Sequence, residues 1–161
     1  MNLRCFILSL LLITLLSTGG FAQNASTTQG ASEFDAELAK KLGADEIGMK
    51  HYVLVILKTG PNDGSVEGKE REDIFAGHMA NIGRLADEGK LAVAGPFSKN
   101  DKGFRGLFIL NVATVEEAQK LTETDPAVKA GIFVADLIPW YGSAALMATP
   151  EIHKKITKPM P

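Results

Sequence analysis

Cysteine is almost missing from this sequence: one of its 161 residues is Cys, at position 5. That position lies inside an apolar leader, so the chain freed of its leader has no thiol. No disulfide framework, thiolate nucleophile or cysteine-bound zinc or iron–sulfur site is then available. Basic charge is also short: 17 Lys and Arg stand against 19 Asp and Glu. No face-sized cluster of them occurs, so no nucleic-acid partner is expected. His51, His78 and His153 have no metal-ligand spacing. Gly103-Phe104-Arg105-Gly106 lacks the third glycine and the strand-to-helix setting of a dinucleotide fingerprint. No serine stands in a nucleophile elbow. The expectation is a protein with no metal and no cofactor.

An apolar run long enough to span a bilayer is missing too. Residues 1–22 have a single positive charge at Arg4, an apolar run from Cys5 to Leu16 and a small-residue exit at Gly20-Phe21-Ala22. This is the layout of a signal peptide. The run, interrupted by Ser9 and Thr14, falls well short of the roughly 20 residues a spanning helix needs. Cleavage near Ala22 predicts a secreted or periplasmic protein with no membrane attachment. Loss of Arg4 leaves 16 basic residues against 19 acidic, a net charge of −3.

The chain divides into a signal peptide (1–22), a spacer with a short N-terminal helix (23–48), one folded domain (49–142) and a C-terminal extension (143–161). Gln23 to Ser32 is polar, without periodicity, and reads as a disordered spacer. Ser32 is the expected N-cap of the short helix, with Phe34, Leu38 and Leu42 at helical spacing for packing and Gly43 as its stop. The basic tail from His153 to Lys158 reads as solvated.

Within the domain, His51–Lys58 alternates as a strand with two apolar faces, Val53, Val55 and Leu57 against Tyr52, Leu54 and Ile56. After a loop from Thr59, a helix starts at Glu67 or Glu70 and runs to Glu88, stopped by Gly89. At 100° per residue, Ile74, Phe75, Met79, Ile82, Leu85 and Ala86 share one stripe with His78, which should face the sheet. Strands are expected at Leu91–Phe97 and Phe104–Val112. Thr114 caps the next helix, with Glu117 completing a capping box. Asp125-Pro126 starts a short turn of helix. The last strand is Ile132–Tyr141, where Pro139 indicates an edge or terminal position.

This order of strand, helix, strand, strand, helix, strand implies an α+β ferredoxin-like βαββαβ sandwich. Its two helices cover one sheet face, while three strands are apolar on both. The uncovered face predicts a C2 homodimer joined through the sheets. The alternative is that the N-terminal helix and the tail fold back over it.

HMANIGRLADEGK, LAVAGPF, GFRGLFILNV, VEEAQKL and TDPAVKAGIFVADLIPWYG, in that order and spacing, resemble the YCII-related domain over His51 to Trp140. The resemblance implies a ferredoxin-like fold that dimerises into an α/β barrel, with a His and an Asp facing a small cleft. These fall on His78 and Asp125. Relatives include a dehydrochlorinase acting on chlorinated hydroxyquinols, and the same barrel occurs in muconolactone isomerases. The chain departs from the simplest members in its export signal, a longer loop from Thr59 to Lys69 and the C-terminal extension.

A His–Asp pair suits proton transfer near neutral pH: imidazole takes or gives the proton, and a carboxylate on its far nitrogen fixes the tautomer. His78 is therefore the candidate base or acid and Asp125 its partner. Asp before Pro is also an ordinary helix cap, and a buried histidine can be plain core. Gly95 and Pro96, ending the second strand, are candidates for close approach to a ligand. Tyr52, Trp140 and Phe97 are candidates for an aromatic-lined substrate pocket, and Asp136 interrupts the last strand's apolar alternation. The expected activity is cofactor-independent acid–base chemistry on a small organic molecule, of lyase or isomerase type and dehydrochlorinase-like. The alternative is an exported small-molecule-binding or structural dimer without turnover.

Overall fold

The apolar alternation around Val53 builds the strand on which the sheet is assembled. A computed structural model describes residues 33–158; the expected signal peptide (1–22), the expected spacer from Gln23 and the expected cap Ser32 lie outside them. In chain order the elements are α1 (Ala36–Leu42), β1 (Met49–Thr59), α2 (Gly68–Asp87), β2 (Leu91–Pro96), β3 (Phe104–Leu110), α3 (Val115–Thr122), α4 (Pro126–Lys129) and β4 (Phe133–Ser143). A 3-10 segment (Ala144–Ala148) and α5 (Thr149–Ile156) follow. The strand order is β2-β3-β1-β4, with every pair antiparallel. This is the ferredoxin-like α+β arrangement. Pro139 sits in an edge strand, where a missing N–H is tolerated.

One sheet face carries Val53, Val55, Leu57, Phe108 and Leu110, packed against Leu85 and the apolar stripe of α2 and against Ala118 of α3. Thr114 caps α3 by accepting the Glu117 N–H at 3.2 Å. The returning Glu117 carboxylate accepts from Ala113, one residue ahead of the cap. Met79, expected on the buried stripe, is 62% exposed.

The second face is partly covered by the chain itself. Leu146 and Met147 of the 3-10 segment pack with Tyr52, Ala92 and Ile109, so the C-terminal extension folds back as one reading of the sequence expected. Farther out on β4 the face stays open: Val134, Ile138 and Trp140 are 40%, 45% and 36% exposed. The N-terminal helix departs from expectation. Its cap is Asp35, which accepts the Leu38 N–H, because the helix starts at Ala36. Phe34 is left outside the helix, and both it and Leu38 are exposed. Gly43 ends the helix in the left-handed conformation as expected.

Candidate active site

His78 lies midway along α2, on the stripe that meets the sheet, and only 9% of it is exposed. Its ring stacks on Phe108 of β3, with centroids 6.1 Å apart. Phe133 of β4 and Phe75 of α2 meet it edge-on. These contacts fix the ring plane.

Asp125 arrives from the α3–α4 turn. Pro126 at the first position of α4 presets the backbone. The Asp125 Oδ1 accepts the Ala127 N–H at 2.8 Å, and Oδ2 stands 2.7 Å from His78 Nδ1. The carboxyl is fully buried. Capping and pairing thus coexist, one oxygen for each. A carboxylate in its ionised form only accepts; paired with it, a neutral imidazole would carry its proton on Nδ1 and leave Nε2 for a ligand.

The approach of the two segments depends on Gly77. A Cβ there would lie 2.9 Å from Pro126 Cγ. About two turns farther along α2, Arg84 Nη2 donates to Asn81 Oδ1 at 2.7 Å and to Thr124 Oγ1 at 3.0 Å. The Thr124 hydroxyl also lies 3.0 Å from Asn81 Oδ1. This network ties α2 to the turn that presents Asp125.

His78 opens onto a cavity of about 570 Å³, within the usual size range of small-molecule sites. Leu57, Phe108 and Phe133 form its sheet side, and Phe75, Met79 and Ile82 its α2 side. Ala94, Gly95, Pro96 and Phe97 close the end near β2, and Arg105 and His153 supply the remaining polar atoms.

The sequence candidates divide at the sheet. His78, Gly95, Pro96 and Phe97 meet at the cavity, with Asp125 directly behind His78. Gly95 contributes main chain alone, and beyond its chain neighbours Ala94 and Pro96 no described residue comes within 4 Å of where its Cβ would stand. Tyr52 and Trp140 pair across β1 and β4 on the opposite face, with ring centroids 5.8 Å apart. They do not join His78, because residues alternate across a strand and Val53, not Tyr52, faces the helices. Tyr52 is buried, its hydroxyl donates to the Ser143 carbonyl, and burial pushes its pKa up. Asp136 lies on that same open face and pairs with Lys58 at 2.7 Å.

Two wall residues escaped the sequence reading. His153 belongs to α5: the stretch from His153 to Lys158 is exposed, as expected of a solvated tail, but it is helical as far as Ile156, Lys154 Nζ reaches Asp87 at the end of α2 at 2.7 Å, and His153 lines the cavity. Arg105 stands over the Phe133 ring, 5.5 Å from its centroid. Among the described residues no group of three or more His, Cys, Asp or Glu side chains is placed to hold a metal ion.

The search of the curated proteins finds no match. Among solved structures the chain is similar to 5-chloro-2-hydroxyhydroquinone dehydrochlorinase from Burkholderia phenoliruptrix AC1100, in complex with 2,5-dihydroxybenzoquinone. The similarity is 28% identity over 55% of this chain and 92% of that chain, with a TM-score of 0.39. The YCII-related domain matches residues 51–141, the span that includes the sheet, His78 and Asp125, and the chain belongs to that family.

Proposed function

We propose that this protein is a cofactor-independent acid–base enzyme acting on a small organic molecule bound beside His78. One observation carries the reading: a buried carboxylate 2.7 Å from the imidazole Nδ1 of a residue that lines a cavity. Such a pair leaves Nε2 as the base. In the reaction Nε2 takes a proton from the ligand, and the imidazolium is stabilised by Asp125. The proton then returns to another atom of the same molecule, which is an isomerisation. In a lyase the ligand instead expels a leaving group with its bonding pair, and the proton passes to solvent; loss of HCl is one such elimination.

The test is a turnover screen of small phenols, quinones, lactones and halogenated acids. General acid–base catalysis contributes roughly 10²–10⁴-fold. For a compound turned over by the wild type, His78→Ala should lower kcat/KM by about that factor. Asp125→Asn should lower it by at least about tenfold, because its side chain has no charge to set against the imidazolium. Variants that stay folded and keep full turnover contradict the assignment. A compound that binds beside His78 and leaves unchanged favours the alternative, a binding or structural protein.

The reading includes a homodimer and an extracytoplasmic site of action. Support for the dimer is the open apolar strip of Val134, Ile138 and Trp140, which the 3-10 segment does not reach. A second copy of the same strip is its natural cover under C2 symmetry. Export rests on the leader at residues 1–22.

A further inference from the structure

We propose that the cavity beside His78 selects an anion, a carboxylate or comparable oxyanion on a small apolar body, and that the free edge of the Arg105 guanidinium holds the charge. The inference builds on the reading of this cavity as a ligand site.

The first support is how Arg105 comes to face the cavity. In the β1–β3 ladder Leu57 lies opposite Gly106 and Lys58 opposite Phe104. Arg105 is therefore the extra residue of a β-bulge. Strict alternation would send the neighbour of Gly106 to the opposite face, but a bulge re-aims its extra side chain. The guanidinium accordingly lies over Phe133 on the helix-covered side.

The second support is the long loop between β1 and α2, residues 60–67. It is pinned to the α4–β4 turn: Gly60 N donates to the Ile132 carbonyl at 2.7 Å, Asn62 N to Gly131 at 3.0 Å and Asn62 Nδ2 to Ala130 at 2.9 Å. From this fixed loop Asp63 binds two cations, Arg71 at 2.7 Å through Oδ1 and Arg105 Nη1 at 3.0 Å through Oδ2. The contact with Arg71 comes first, with Arg105 added, in holding its carboxyl below the usual carboxylate range. Asp63 is a positioning residue, and the loop is the part that supplies it.

The third support is what remains unused. A guanidinium carries five N–H donors. Among the described residues the side-chain hydrogen bond of Arg105 is the one to Asp63, which leaves Nε and Nη2 as a fork suited to a two-oxygen acceptor. Two guanidinium charges meet one carboxylate in the cluster, and no described acidic residue lines the cavity. A surplus positive charge therefore faces a space whose other described lining residues, apart from His78 and His153, are apolar or glycine. Arg105 Cζ and the His78 ring centroid each lie 5.5 Å from the Phe133 centroid. They are at most 11.0 Å apart, so one small molecule can touch both.

The probes are benzoate and its neutral isostere benzamide, titrated into the full chain with the His78 ring nitrogens followed by NMR. The wild type should bind benzoate at least about tenfold more tightly than benzamide, as expected for charge-assisted hydrogen bonds, and rising salt should weaken benzoate alone. Arg105→Gln should abolish the preference, weakening benzoate far more than benzamide; Arg105→Lys, a point charge without the fork, should keep part of it. If Arg105→Gln does not fold, the lysine variant and the salt dependence carry the test. Equal binding of the two probes by the wild type, a preference that survives in Arg105→Gln, or no binding of benzoate overturns the inference. His78 signals that respond to benzamide without any benzoate preference remove the anion selectivity alone and leave the cavity as a ligand site.

Discussion

Each oxygen of Asp125 has its own partner, Ala127 N–H for one and His78 Nδ1 for the other. Asp125→Asn can keep the cap while losing the charged bond. A buried hydrogen bond to a charged group is worth about 1.5–3 kcal/mol, so the variant should lose about that much unfolding free energy, seen as a lower urea midpoint with the slope of the transition unchanged. Gly77→Ala tests the approach of α4 to α2. Alanine gains up to about 1 kcal/mol of helix propensity, but its Cβ meets Pro126 at 2.9 Å, and overpacking costs about 1–3 kcal/mol. A net loss of stability is expected in the same assay; a gain would show that the interface yields freely. At this scale the sequence was legible where a local rule applied. Helical phase placed His78 toward the sheet, and Asp before Pro marked the cap. The bond between them joins positions 47 apart, and no periodicity reports such a pairing; only the resemblance did. Tyr52 and Trp140 failed as cavity residues because alternation tells two faces apart without telling which one the helices cover.

The loop between β1 and α2, residues 60–67, is the element most open to a pH test. The carboxyl of Asp63 is depressed in the folded state, chiefly by its bond to Arg71 and then by Arg105. Its stabilising contribution is therefore full above the unfolded value, near 3.9, and is lost as pH falls through the lower folded value. In urea unfolding, the gap between wild type and Asp63→Asn should be constant near neutrality and shrink steadily below about pH 4. A gap that stays the same down to acid unfolding would mean that the ion cluster contributes nothing. Turn chemistry made this segment recognisable as a loop, but not what it holds. The bulge that re-aims Arg105 depends on pairing register between distant strands, and a strict period of two hides it. The path of α5 was equally hidden, since the ion pair of Lys154 with Asp87 spans 67 positions.

For the whole molecule, the order of elements and their two-faced strands were enough for the ferredoxin-like architecture, because short connections leave few ways to arrange four strands and two main helices. How much of the second face lies open was not legible. Cover by Leu146 and Met147 comes from a 3-10 segment without strong periodicity of its own. The strip that remains on β4 predicts a dimer by light scattering on residues 23–161, and Ile138→Glu should shift it toward monomer by placing charge where such a seam would bury it. A wild-type monomer at all concentrations tested would remove the dimer from the account.

The most direct test of the central claim is the protonation pattern of the His78 imidazole, read by long-range ¹H–¹⁵N correlation on the neutral ring. The proton should be on Nδ1, with Nε2 unprotonated, and Asp125→Asn should disturb that preference. A wild-type ring protonated on Nε2 would contradict the account, because the nitrogen left for the ligand would then be no base.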